Sequence, residues 1–200
     1  MIRIAVLASG RGSNLEALFE ELAGREDAAI VAVASDRVGA RALELARRRG
    51  VEATVVDPAD AAGLLALLER ARVDWIVLAG YLRRIPAVVV SRWRNRILNV
   101  HPALLPAHGG QGMYGQRVHQ AVLEAGDATS GASVHLVDEE YDRGPVVARA
   151  EVPVEPGDTP ATLAARVLEV EHRLLPAVVV AAAEGRIRIA GGEAWIEEPT

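Results

Sequence analysis

Through its first hundred residues the chain alternates short β-rich runs with amphipathic helical runs, and few folds accept that rhythm. Residues 2–8, 30–34, 53–56, 75–79 and 97–100 are the β-rich runs. Leu15, Leu18, Phe19 and Leu22 recur at helical spacing, and residues 40–49, 59–72 and 86–93 carry Ala, Leu and Arg in the same period, the last opened by Pro86 at a first-turn position. Such alternation predicts a parallel sheet covered by helices. The second half breaks the pattern. A Gly/Pro/His loop (102–115) leads to a short helix (116–125), then to two strands separated only by an acidic loop and therefore close enough to pair antiparallel. Asp158 or Thr159 with Pro160 starts a long helix running to about Ala183. The expected fold is α/β: a mostly parallel Rossmann-like sheet with helices on both faces and an antiparallel strand pair in the C-terminal half. No repeat, low-complexity segment or linker interrupts it, so residues 1–200 are expected to form a single domain of two functional halves.

Composition narrows the function classes. A chain of 200 residues suits one domain and buries roughly 70% of its unfolded surface. Half the residues are hydrophobic but only 4% are aromatic, so the core is expected to be built from Ala, Val and Leu. The absence of Cys excludes a disulfide framework, a zinc–thiolate site and a cysteine nucleophile. A net charge of −5 argues against nucleic acid held by bulk electrostatics. The first strand begins at Ile2 with no cleavable hydrophobic segment before it, and the longest apolar run, 176–183, is too short to span a bilayer. The expectation is a cytoplasmic protein with no membrane partner.

Three stretches carry chemistry. In Asn99-Val100-His101-Pro102, Asn and His sit two residues apart at a strand end and project the same way. One supplies a neutral amide donor, the other a proton exchanged near neutral pH, a pairing suited to chemistry at a carbonyl; a histidine that merely caps a strand is the plainer alternative. Residues 133–145 run from a strand-like alternation into Asp138, Glu139, Glu140 and Asp142 before a Gly-Pro break. That is either a solvated turn or a carboxylate aimed by the turn, and a carboxylate beside an imidazole raises the His pKa. Ser9-Gly10-Arg11-Gly12-Ser13-Asn14 follows a strand and opens a helix, the arrangement that points backbone N–H groups at an anion. A plain tight β–α turn would look the same.

Taken in order, the chain resembles the phosphoribosylglycinamide formyltransferase family across nearly its whole length. The resemblance rests on Ser9 to Asn14, Ala79-Gly80-Tyr81-Leu82-Arg83, Asn99 to Pro102, Gly112-Met113-Tyr114-Gly115, Gly131 to His135, Asp142 to Pro145, and Glu171-His172. It implies transfer of a formyl group from the co-substrate 10-formyltetrahydrofolate to the amine of glycinamide ribonucleotide, in purine synthesis and without a metal. It further implies that Asn99, His101 and Asp142 are catalytic: Asn99 stabilises the oxyanion, His101 donates the proton, and Asp142 raises the pKa of His101 and holds it as an imidazolium. Gly12, Ser13, Asn14 and Glu171 would bind the ribonucleotide. Leu82, Arg83, Arg84 and Ile85, with Asn99, would bind the folate, largely through backbone groups. His135 also matches, although a strand His is more often a hydrogen-bonded core residue. The phosphate-binding half would be N-terminal, the folate-binding and catalytic half C-terminal, and the enzyme a monomer or homodimer.

The chain departs from the family at Arg84, a position usually apolar, and at 58–63, where the basic residue that some members offer the folate tail has no match. His108 and Gln111 also differ, and Gly109-Gly110 suggests a mobile loop. Rivals follow from the same motifs. A formyltetrahydrofolate hydrolase or methionyl-tRNA formyltransferase would share Asn-x-His and the acidic loop, but each usually carries a further domain. A nicotinamide enzyme would use Asp36 to grip a ribose, yet Leu15 stands where the third Gly of its fingerprint belongs. A non-catalytic nucleotide-binding module would have no use for Asn99, His101 and Asp142 together.

Overall fold

The computed structural model describes residues 1–198, in two compact units: Met1–Asn99, and a second from Val100 onward. The first unit holds β1 (Ile2–Leu7), α1 (Ser13–Glu21), β2 (Ala28–Ser35), α2 (Arg41–Arg48), β3 (Glu52–Val55), α3 (Ala61–Arg70), β4 (Trp75–Leu78) and α4 (Ala87–Arg92), and β5 (Ile97–His101) begins in it. The strands lie in the order β3-β2-β1-β4-β5 and pair in parallel throughout. Chain order therefore runs outward from β1 to β3, then reverses to β4 and β5. Right-handed crossovers in opposite directions place α1 and α2 on one face and α3 and α4 on the other, and α1 packs on α2 and α3 on α4 accordingly. A sheet covered on both faces needs strands that are apolar throughout, as in Ile4 to Ala8 and Ile76 to Leu78, all buried. The expected α/β class is the observed one.

In the second unit α5 (Gln116–Ala125) precedes β6 (Thr129–Leu136) and β7 (Val146–Pro153), which pair antiparallel as expected. The long helix is α6 (Pro160–Ala183). Its N-cap is Thr159: the Thr159 hydroxyl accepts from Thr162 N–H, and the Thr162 hydroxyl accepts from Thr159 N–H. α6 lies over β6 and β7 and against α5, burying Leu163, Val167, Leu175 and Val178. Sequence reading had no strand after this helix. The structure adds a hairpin, β8 (Ile187–Ala190) and β9 (Glu193–Ile196), turned by Gly191-Gly192 at positive φ. The Gly-Gly signal was present, but the exposed, weakly alternating strands beside it were too short to read.

Two local irregularities position the site. The β6–β7 register shifts between Val134 and His135, so that His135 faces Val146, and such a bulge re-aims the side chain beside it. The acidic loop is then closed at its neck by Leu136 N–H donating to Pro145 O at 2.9 Å. Gly144 lies so close to this neck that a Cβ there would overlap the Leu136 carbonyl oxygen. Gly144→Ala is expected to lower the unfolding free energy by about 1–3 kcal/mol, the usual cost of forcing extra volume into a packed position. Urea denaturation measures it; an unchanged midpoint would show that the neck yields.

Candidate active site

Asn99 and His101 alternate at the end of β5, so their side chains leave the strand on the same face. His101 is almost fully buried in the second unit. Its Nε2 lies 2.8 Å from the carbonyl oxygen of His108; a carbonyl only accepts, so Nε2 carries the hydrogen and donates. Nδ1 then faces Asp142 Oδ2 at 3.6 Å. The other Asp142 oxygen is 3.4 Å from His135 Nε2, and His135 Nδ1 is bonded to Leu136 O at 2.9 Å. Asp142 also accepts from Gly110 N–H at 2.9 Å. One carboxylate thus stands between two imidazoles and a loop amide. Asp142 and His108 both hold positive φ, 55° and 52°, a conformation that Asp and His tolerate better than most residues.

Charge and burial compete here. Burial pushes the Asp142 carboxyl up, but the bond to His135, the His101 charge and the Gly110 amide together hold it below the usual carboxylate range. For His101 burial wins. It pushes the imidazole below its ordinary value, although Asp142 and the His108 carbonyl pull it upward. The resemblance implies a resting imidazolium; burial works against that charge and Asp142 works for it. Asp142 acts in the expected direction, yet removing the ring from water outweighs one carboxylate at 3.6 Å. The unfolded chain binds this proton more readily than the folded one. The stability from a neutral His101 is complete above the ordinary His value and is lost as pH falls through the folded-state value.

In the first unit the strand order reverses between β1 and β4, whose C-terminal ends are the topological switch point where open α/β sheets bind ligands. Gly12 is the N-cap of α1 at φ 79°, and a Cβ on it would meet Ala42 Cα at 3.0 Å. Backbone and packing both demand glycine there. The cap therefore supplies no side-chain acceptor, and Ser13 and Asn14 form the helix's first turn, where N–H groups point along the axis. Leu82, Arg83 and Arg84 are exposed and Ile85 is buried. Leu82 N–H donates to Ser9 Oγ at 2.9 Å, so this amide is already engaged. Glu171 lies on the buried face of α6 in the second unit, 8% exposed, and not on a solvated face.

Sequence reading missed two groups. His119 on α5 is buried, with Nδ1 lacking a hydrogen-bond partner, and burial and the nearby His101 both lower its pKa. Its place beside Val118 and Val122 in the apolar stripe hid it. The 102–115 loop, expected to be mobile, supplies the His108 carbonyl and Gly110 amide that meet the catalytic candidates, and His108 Nε2 lies 2.6 Å from Asp127 Oδ2. Backbone groups of a loop leave no mark in side-chain spacing. Among the described residues, no group of three or more His, Cys, Asp or Glu is arranged to hold a metal ion, and no helix is long and apolar enough to cross a membrane.

Comparison with known proteins agrees with this geometry. Residues 2–179 match the formyl transferase family. The chain is similar to the chloroplastic phosphoribosylglycinamide formyltransferase of Arabidopsis thaliana, 42% identical over 93% of this chain and 67% of that one. It is likewise similar to the phosphoribosylglycinamide formyltransferase of Escherichia coli K12, 36% identical over 98% and 94%. Other relatives are much longer: the chain spans 20% of a trifunctional purine biosynthetic protein of Gallus gallus. Among solved structures, glycinamide ribonucleotide transformylase 1 of Symbiobacterium toebii superposes with a TM-score of 0.92 at 40% identity, covering 99% of this chain and 95% of that one. On sequence, fold and the matched span alike, the chain belongs to the formyl transferase family.

Proposed function

We propose that this protein transfers the formyl group of 10-formyltetrahydrofolate to the amine of glycinamide ribonucleotide, giving formylglycinamide ribonucleotide and tetrahydrofolate in purine biosynthesis. The observation that carries the reading is Asp142 between His101 and His135, in a chain similar over 98% of its length to the bacterial enzyme of that name. The attacking amine adds to the formyl carbon and the carbonyl oxygen becomes an oxyanion. Asn99 donates to that oxygen, a contribution of about 10²–10³ in rate for a well-placed donor. The amine must lose a proton and the departing folate nitrogen must gain one. A resting neutral His101 takes the first and delivers the second, and Asp142 stabilises the imidazolium while it exists. Holding both substrates in line supplies much of the remaining acceleration.

Gly12, Ser13 and Asn14 receive the ribonucleotide phosphate in this reading, and Glu171 contacts the same substrate near its amine or ribose. Leu82, Arg83, Arg84 and Ile85, with Asn99, receive the folate. The bond from Leu82 N–H to Ser9 leaves the Leu82 carbonyl as that residue's backbone group for the pterin. Chain 1–200 works as one formyltransferase domain, as a monomer or homodimer in the cytoplasm.

A coupled assay tests the reaction: tetrahydrofolate release from 10-formyltetrahydrofolate should require glycinamide ribonucleotide, whereas release without the amine would make the protein a hydrolase. In the same assay His101→Ala should lower kcat by about 10²–10⁴, the range for a lost general acid–base group, with ribonucleotide binding retained. Near-normal kcat would remove His101 from the chemistry.

The resting charge is open to direct measurement. Burial holds His101 below its ordinary value of 6.5 and Asp142 opposes that, so the wild-type ring, followed by NMR, should titrate below 6.5 and Asp142→Asn should move it lower still. A ring that titrates above 6.5, or one indifferent to Asp142→Asn, would show that another group sets its charge.

A further inference from the structure

Asp36, at the end of β2, has no part in the chemistry above, yet its surroundings are unusual. Its side chain is 1% exposed, while those of its ion-pair partners, Arg83 at 2.8 Å and Arg37 at 3.9 Å, are each 55% exposed. Arg83 Nε donates to Asp36 Oδ2 at 2.8 Å. Ser9 also bonds the carboxylate, and although burial raises its pKa, Ser9 and Arg83 hold it below the usual range. Oδ1 is buried with no hydrogen-bond partner. Ser9 in turn accepts from Leu82 N–H at 2.9 Å, and its own N–H donates to Gly80 O at 3.1 Å. The carboxylate therefore reaches the Gly80–Arg83 segment twice, once through Ser9 and once through the Arg83 side chain. This network lies across the switch point between β1 and β4.

A buried carboxylate with one idle oxygen is a poor device for stability, since desolvation offsets the pairing and an apolar residue would serve as well. It is a good device for fixing geometry, because a charged acceptor and an N–H in a guanidinium plane define direction as well as distance. We propose that Asp36 is a positioning residue: through Ser9 and Arg83 it clips the Gly80–Arg83 segment in the conformation that receives the folate. The inference rests on the folate-pocket reading given above. Since Ser9 directly precedes the Gly10–Asn14 loop, the clip also ties the segment assigned to the folate to the loop assigned to the ribonucleotide phosphate.

The test uses the full-length enzyme and steady-state kinetics for each substrate. Asp36→Ala should raise KM for 10-formyltetrahydrofolate about tenfold, a typical loss for a charge-assisted contact. The kcat and the ribonucleotide KM should stay within about twofold. Asp36→Asn keeps an acceptor oxygen and should recover part of the loss. Arg83→Gln breaks the ion pair from its exposed end without disturbing the core. Since Asp36 acts through both Ser9 and Arg83, Asp36→Ala should cost more than Arg83→Gln, and the two together should cost clearly less than their sum. Three results would overturn the clip: an unchanged folate KM in Asp36→Ala, additive effects of the two substitutions, or both KM values rising together with a lowered Tm. Amide NMR of the wild type on adding tetrahydrofolate separates this from the underlying reading. If Leu82 to Ile85 shift and Asp36→Ala has no kinetic effect, the clip alone fails; if they do not shift, the folate-pocket reading falls and the clip with it.

Discussion

The second unit of this protein depends on one carboxylate having two imidazoles to satisfy. Asp142 is 10% exposed and lies within 3.6 Å of both His101 and His135. A charge so placed would be costly if it were left alone. Each neighbouring irregularity serves to surround it. The bulge in β6 alters the course of the strand at His135, the neck at Leu136 and Pro145 closes the loop that carries Asp142, and the left-handed backbone at Asp142 turns its side chain inward. The 102–115 loop adds an amide from Gly110. Removing any one of these would leave a buried charge short of a partner, so geometry and electrostatics constrain each other.

The same burial works against a charged His101. In water, two unit charges about 4 Å apart interact by only about 1 kcal/mol, and by several times that when partly desolvated. Desolvation of an imidazolium grows in the same medium, and at His101 it is the larger effect. In the proposed reaction this suits a group that first accepts a proton. A permanently charged His101 would have to lose its proton before it could receive one from the amine. A neutral ring beside a carboxylate held in its ionised form has somewhere for the proton to go and a charge to steady it there.

The sequence made some of this plain and hid the rest for physical reasons. The parallel half was legible because buried strands and amphipathic helices have different periods, and Pro160 after Thr159 marked the start of α6 without ambiguity. Asn99, His101 and Asp142 were legible as candidates because their side chains stand in short motifs, and the structure brings His101 and Asp142 within 3.6 Å. His135 was seen but weighed as a core residue, since only the β6 bulge and the path of the acidic loop bring it within 3.4 Å of Asp142. The backbone groups of His108 and Gly110 could not be read at all, because any residue type presents the same amide and carbonyl. The balance at His101 could not be read for a related reason: the partner carboxylate is in the sequence, whereas the burial that opposes it is a property of the fold.

Asp36 shows how one position in a shared architecture can serve different ends. An acidic residue at the end of β2 is where dinucleotide-binding sheets grip a ribose diol, which requires both carboxylate oxygens to face the ligand cleft. Here the side chain is all but inaccessible, one oxygen is taken by Arg83 and the other is buried. A ribose diol would compete with Arg83 for Oδ2 and would find Oδ1 buried. The helix that follows the first loop adds a second obstacle: Leu15, fully buried, occupies the place where the fingerprint needs a glycine for close helix–strand packing. Both features argue against a nicotinamide cofactor on a sheet that would otherwise suit one. In the proposed function the first loop takes a smaller anion, a single phosphate, and the acid holds its neighbouring segment in place.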